Sequence, residues 1–161
     1  MSATSFNIPF NILFLCTGNS ARSILAEATL THLGQGRFRG YSAGSYPKGQ
    51  PNPLALALLQ REGISTEGAR SKSWDEFAAP GAPRLHAVIT VCDQAAGEQC
   101  PLYPGHPLKV HWGVPDPHTA EEFAQAYRAL RGRIEQMLAL PPYSFDEPAT
   151  LKRQLAAIGG G

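Results

Sequence analysis

The chain alternates between two hydrophobic periods, and that alternation constrains its fold more than any other feature. A short apolar run over residues 11–15 (NILFL) predicts a buried strand. From Ser20 onward, Ile24, Leu25, Ala28, Leu30 and Leu33 recur at three- and four-residue spacing up to Gly34, which predicts a helix. Residues 38–43 read as a second short strand ending at Gly44, and 53–62 as a leucine- and alanine-rich helix stopped by Gly63. This order points to a parallel sheet, whose neighbouring strands need a crossover that a helix supplies.

Downstream, residues 86–92 (HAVITVC) form the clearest strand, and 108–112 a weaker fourth. Residues 119–138 predict a long helix capped by Thr119, with Glu121 and Glu122 in its first turn and Arg128, Arg131 and Arg133 further along, as the helix dipole favours. The Pro141-Pro142 pair ends it, and a last helix over about 148–158 runs into a Gly159-Gly160-Gly161 tail expected to be mobile. The expected fold is therefore α/β: a three-layer sandwich around an open four-stranded parallel sheet, in one domain over residues 1–161. In such sheets ligands bind at the carboxyl ends of the strands. Three features fall at that edge: the loop 16–23, Cys92, and the Pro115-Asp116-Pro117 turn.

Composition excludes several classes. Charged residues are 17% and the formal net charge is +1, so neither a nucleic-acid footprint nor an acidic tail is present, and any charge selectivity is local. The longest apolar runs fall far short of the roughly 18 residues a membrane span needs. Residues 1–7 carry no lysine or arginine and do not resemble a secretory signal peptide, which points to a cytoplasmic, reducing setting. Three cysteines do not make a disulfide scaffold and are better suited to catalysis or metal binding.

The first cysteine lies in the stretch LFLCTGNSARS, in which Cys16 and Arg22 are separated by five mostly small residues. A loop of this kind between strand and helix can turn successive backbone N–H groups inward and bind a tetrahedral oxyanion at the helix's positive end. Thr17, Gly18, Asn19, Ser20, Ala21, Arg22 and Ser23 are the expected oxyanion-binding residues. Gly18 permits positive φ, Asn19 tolerates it, and Arg22 offers a fork of fixed donors. Cys16 would lie under the anion in a field that favours the thiolate, with Ser20 or Ser23 bonding the sulfur or steadying the loop. The alternative, a small buried core residue, leaves Gly18, Asn19 and Arg22 at these spacings unexplained. A nucleotide P-loop is excluded by the missing lysine of its motif. Asp116, held between prolines, is either a helix-entry carboxylate or a general acid over the loop. Cys92 and Cys100 enclose a polar segment too loosely spaced for zinc; two thiols there, close to a third, suit sequential thiol-disulfide exchange or are unrelated.

These residues resemble a known family. LFLCTGNSARS resembles the C-x5-R loop of low-molecular-weight protein tyrosine phosphatases, and the chain resembles more closely the arsenate reductases built on that fold. The likeness extends through Ala26-Glu27-Ala28, Ser42-Ala43-Gly44, Pro51-Asn52-Pro53, VITVCDQAAGEQCPLYPG from Val88 and HWGVPDP from His111. It implies that Cys16 attacks arsenate held by the loop and Arg22 while Asp116 protonates the departing oxygen. Cys92 then attacks Cys16, releasing arsenite, and Cys100 attacks Cys92 to present a Cys92–Cys100 disulfide to an external thiol reductant. Thioredoxin is the first partner the resemblance suggests, with glutathione and glutaredoxin as the other; Gly97 is a place for the mobile segment to bend.

The resemblance implies no tightly bound cofactor, but some relatives hold potassium, here matched by Asn19, Glu27, Ser42 and Asp75; a plain hydrogen-bond network is the alternative. Two departures stand out. Ala21 replaces a cysteine common in relatives, excluding a disulfide within the loop, and His118 follows Asp116-Pro117 where phosphatases usually have tyrosine. The competing readings are a phosphotyrosine phosphatase using Cys16, Arg22 and Asp116, and a module that senses phosphate or sulfate without turnover.

Overall fold

A computed structural model describes residues 9–93, 97, 98 and 101–160. Its elements follow the expected alternation: β1 (Phe10–Cys16), α1 (Arg22–Gly34), β2 (Phe38–Gly44), α2 (Pro53–Arg61), β3 (Ala87–Thr90), β4 (Leu108–His111), α3 (Ala120–Leu138) and α4 (Pro148–Gly160), with 3-10 turns at Trp74–Ala78 and Pro142–Asp146. The four strands form one parallel sheet in the order β2-β1-β3-β4. The chain leaves β1 for β2 on one side and β3 for β4 on the other, so the strand order reverses between β1 and β3. Their carboxyl ends, Cys16 and Thr90 with Cys92 two residues beyond, flank that switch point.

Alternate residues of β1 feed two cores, as a period of two requires. Ile12, Phe14 and Cys16 pack with Ile24, Leu25 and Leu30 of α1, Leu58 and Leu59 of α2, Phe123 and Leu130 of α3, and Leu151 and Leu155 of α4. Leu13 and Leu15 pack on the other face with Ala43, Val88, Phe77, Leu85 and Tyr103. The layers are unequal: among the described residues the second face is covered by the Trp74–Ala78 turn and its neighbours rather than by a long helix. Each fully buried leucine contributes about 2 kcal/mol of transfer free energy.

Helix ends follow local chemistry. Asn52 accepts the N–H of Leu54 to start α2, and Thr119 and Glu122 close a capping box at the head of α3. The arginines of α3 behave differently from expectation, since none lies in its last turn. Arg131 instead donates to Tyr127 and Glu135, and Arg133 to the carbonyl of Gly113 (3.1 Å), tying the helix to the segment after β4. The first two glycines of the tail also differ: α4 continues through Gly160, with Gly159 so close to Trp112 that a Cβ would lie 2.3 Å from its ring, while Gly161 lies outside the described residues. The Trp112 indole donates to Leu155 O at 2.8 Å and locks the helix to the sheet.

His86, just before β3, stacks on Phe10 and accepts the Asn11 N–H at Nδ1 (2.9 Å). Burial, aided by the charge of Arg84, lowers its pKa from the ordinary 6.5. The folded state therefore favours neutral imidazole, and its contribution to stability is full above pH 6.5 and lost as pH falls through the lowered folded value. The melting temperature of the wild type should accordingly fall more steeply on acidification below 6.5 than that of His86→Gln. Parallel curves for the two proteins would refute this assignment.

Candidate active site

The loop after β1 runs from Cys16, buried at the strand's end, to Arg22, the first residue of α1. Among the described residues no side chain caps that helix, so its leading N–H groups face the cleft as donors for a ligand. The left-handed residue is Asn19, with φ of 46°, whereas Gly18 is not left-handed. Gly18 is instead packed close: a Cβ there would lie 3.1 Å from the Lys48 side chain. Asn19 is wholly buried, and its amide is oriented by its partners. Oδ1 accepts the N–H of Lys72 (2.8 Å), so Nδ2 points to Ser23 Oγ (2.8 Å). Ser23 already accepts that bond, leaving its own proton for Cys16 Sγ at 3.0 Å. Of the two candidate serines, Ser23 meets the sulfur, while Ser20 contributes its carbonyl to the N–H of Asn52 (2.8 Å).

Arg22 is held from above. Nη1 donates to Val114 O at 2.7 Å and Nη2 lies 3.4 Å from Asp116 Oδ1, while its buried Nε has no partner among the described residues. Asp116 is 59% exposed at the mouth of the cleft, with His118 Nε2 3.6 Å from its other oxygen. Cys92 is buried on the same cleft, its Sγ 3.7 Å from Thr17 Oγ1. The cleft, about 810 Å³, is closed at the sides by Tyr46 and Lys48 and by Gly113, Val114 and Pro115. Neither Cys16 nor Cys92 is in a disulfide. Cys100 lies outside the described residues; Gly97 lies in a turn whose N–H reaches Asp93 O at 3.3 Å.

Beneath the loop, Ser42 donates to Glu27, and Lys72 Nζ donates to Arg70 O (2.7 Å) and Ser42 Oγ (3.3 Å), with Glu27 Oε1 3.8 Å away. Burial raises the pKa of Glu27 and lowers that of Lys72; each charge opposes the shift of the other. Of the four residues matched to a potassium site, Glu27 and Ser42 meet, Asn19 adjoins them through the main chain of Lys72, and Asp75 is exposed in the Trp74–Ala78 turn. No group of three His, Cys, Asp or Glu able to hold a metal ion occurs among the described residues, and no helix there is long and apolar enough to cross a membrane.

Sequence reasoning missed several of these groups. Lys72 sits in a polar stretch with no period, and Val114 acts through its carbonyl, which no side-chain pattern encodes. His111, joined to Thr90 Oγ1 (2.7 Å) and Asp93 Oδ1 (2.9 Å), ties the residue after Cys92 to β4. Nothing in its spacing signals that role.

With a thiol at the switch point of a parallel sheet and a helix start beside it, the molecule is an open α/β protein whose candidate site lies at the carboxyl edge of its strands. More specifically, the chain belongs to the low molecular weight phosphotyrosine protein phosphatase family, which it matches over residues 11–156. It is 37% identical over 137 residues to an arsenate reductase of Halalkalibacterium halodurans, covering 84% of this chain and 94% of that protein. An arsenate reductase of Bacillus licheniformis is 40% identical over 111 residues, covering 68% and 76% respectively. Among solved structures, the thioredoxin-dependent arsenate reductase of Corynebacterium glutamicum superposes with a TM-score of 0.64 at 25% identity over 87% of this chain. The match spans 63% of that protein's length.

Proposed function

We propose that the protein is an enzyme that reduces arsenate to arsenite. The observation that carries this reading is a second buried thiol, Cys92, on the cleft that holds Cys16, linked to its loop through Thr17. A hydrolase needs only the first. The arsenate reductases among its relatives support the same choice.

The cycle begins with arsenate in the loop, gripped by the N–H groups at the start of α1 and by the free donors of Arg22. Cys16 Sγ, hydrogen-bonded by Ser23, attacks arsenic, and an arsenate oxygen leaves as water with a proton from Asp116. The Cys92 thiolate then attacks Cys16 Sγ. The electron pair of the S–As bond passes to arsenic, which leaves as arsenite, and a Cys16–Cys92 disulfide forms. Cys100 attacks Cys92 Sγ in turn, which frees Cys16 as thiolate and leaves a Cys92–Cys100 disulfide. An external thiol reductant returns two electrons to it, thioredoxin being the first choice and a glutathione and glutaredoxin pair the second.

One experiment tests the sequence. The reduced protein is mixed with a stoichiometric amount of arsenate, quenched by alkylation and mapped by mass spectrometry. A Cys92–Cys100 disulfide with Cys16 alkylated is the expected product. Three free thiols, together with efficient phosphate release from aryl phosphates, would favour the phosphatase that shares Cys16, Arg22 and Asp116.

A further inference from the structure

A buried cation that is part of the chain stands under the loop, where the family resemblance placed a potassium ion. An ammonium group has three donors. Those of Lys72 face three acceptors: Arg70 O at 2.7 Å, Ser42 Oγ at 3.3 Å and Glu27 Oε1 at ion-pair distance, 3.8 Å. Glu27 supplies the one carboxylate of this cluster, because Asp75 is exposed in the following turn. A potassium ion among the same oxygens would set two buried positive charges against a single negative one, at a large cost in desolvation and repulsion. The residues present therefore do not fit potassium.

The same lysine is joined to the nucleophile. Its N–H fixes the Asn19 amide, which bonds Ser23, which bonds Cys16. Its carbonyl accepts the N–H of Gly44 (2.9 Å), and its neighbour Ser71 donates to Gly18 O (3.1 Å). Residues 70–72 thus strap the loop from below, and the ammonium anchors the strap to α1 and β2 through Glu27 and Ser42. We propose that Lys72 replaces a monovalent cation with a covalently attached one, acting as a positioning residue for Asn19 and Cys16 and making the protein indifferent to potassium. This rests on the reading of Cys16 as the nucleophile.

The test avoids arsenate turnover, so its result is independent of the reductase assignment. Melting temperature and the rate at which iodoacetamide modifies Cys16, followed by peptide mass spectrometry, are measured in sodium, potassium and ammonium chloride at equal ionic strength. The wild type should give the same values in all three. Lys72→Ala should melt lower in sodium, with Cys16 modified about fivefold more slowly because Asn19 and Ser23 no longer hold it in place. Potassium or ammonium should restore both quantities in that variant, since either can enter the vacated oxygen set.

A wild-type melting temperature more than about 2 °C higher in potassium than in sodium would overturn the proposal. So would a Lys72→Ala protein with wild-type reactivity and no response to either cation. If that variant does not fold in any salt, the wild-type cation series decides. A failed disulfide map with these results as expected overturns the reductase reading alone.

Discussion

Cys16→Ser should lower arsenate-dependent turnover at least ~10³-fold with the fold intact, because a serine hydroxyl of almost the same size is a far weaker nucleophile than sulfur. The site is ready for this comparison: the side chain is buried, and Ser23 Oγ stands 3.0 Å away to bond either atom. Cys92→Ser should fail differently. Its Cys16 remains able to attack, so the variant should take up one equivalent of arsenate as a covalent adduct and release no arsenite. Intact-protein mass spectrometry after mixing separates the two: no adduct with Cys16→Ser, an accumulated one with Cys92→Ser. Sustained reduction by Cys92→Ser would remove the relay from the mechanism, since no other described thiol shares the cleft.

The parts of this site that the sequence discloses are those written in short-range pattern. An apolar run ending in Cys16, small residues, and a helical period beginning near Ser20 place the loop. The alternation of periods then puts Cys16, Cys92 and Asp116 at one sheet edge, and the observed strand order explains why they meet: β1 and β3 are neighbours across the switch point. Long-range electrostatics leave no such trace. Lys72 finds Glu27 and Ser42 only when β2 and α1 are packed, and in sequence it is one lysine in a polar stretch. Arg133 similarly reads as a dipole-facing charge until the sheet brings Gly113 to it. Short 3-10 turns have no hydrophobic period, so the cover on the second face of the sheet was invisible. The glycine tail misleads for a related reason. Its composition favours disorder, but Gly159 is the residue that lets α4 lie against Trp112.

Gly44→Ala tests how tightly the loop depends on its neighbours. Gly44 ends β2 in register with Cys16 and donates its N–H to Lys72 O. An added Cβ would lie 2.3 Å from Thr17 O, 2.7 Å from Cys16 O and 3.0 Å from Asn19 N. All three atoms belong to backbone, so no rotamer change relieves the contact, and either the end of β2 or the anion loop must shift. Overpacking of this kind costs about 1–3 kcal/mol, equivalent to a fall in melting temperature of roughly 2–4 °C for each kcal/mol in a chain of this size. The larger effect should fall on chemistry, since a displacement of about 1 Å in a positioned site costs on the order of 10²-fold in rate. Gly132→Ala is the control: it lies within α3 with open space where the Cβ would go. That substitution should stabilise the protein by about 0.5–1 kcal/mol and leave turnover unchanged. Gly44→Ala with wild-type stability and turnover would mean that the β2 end yields freely, and that the loop is not held by the close approach of these two strands.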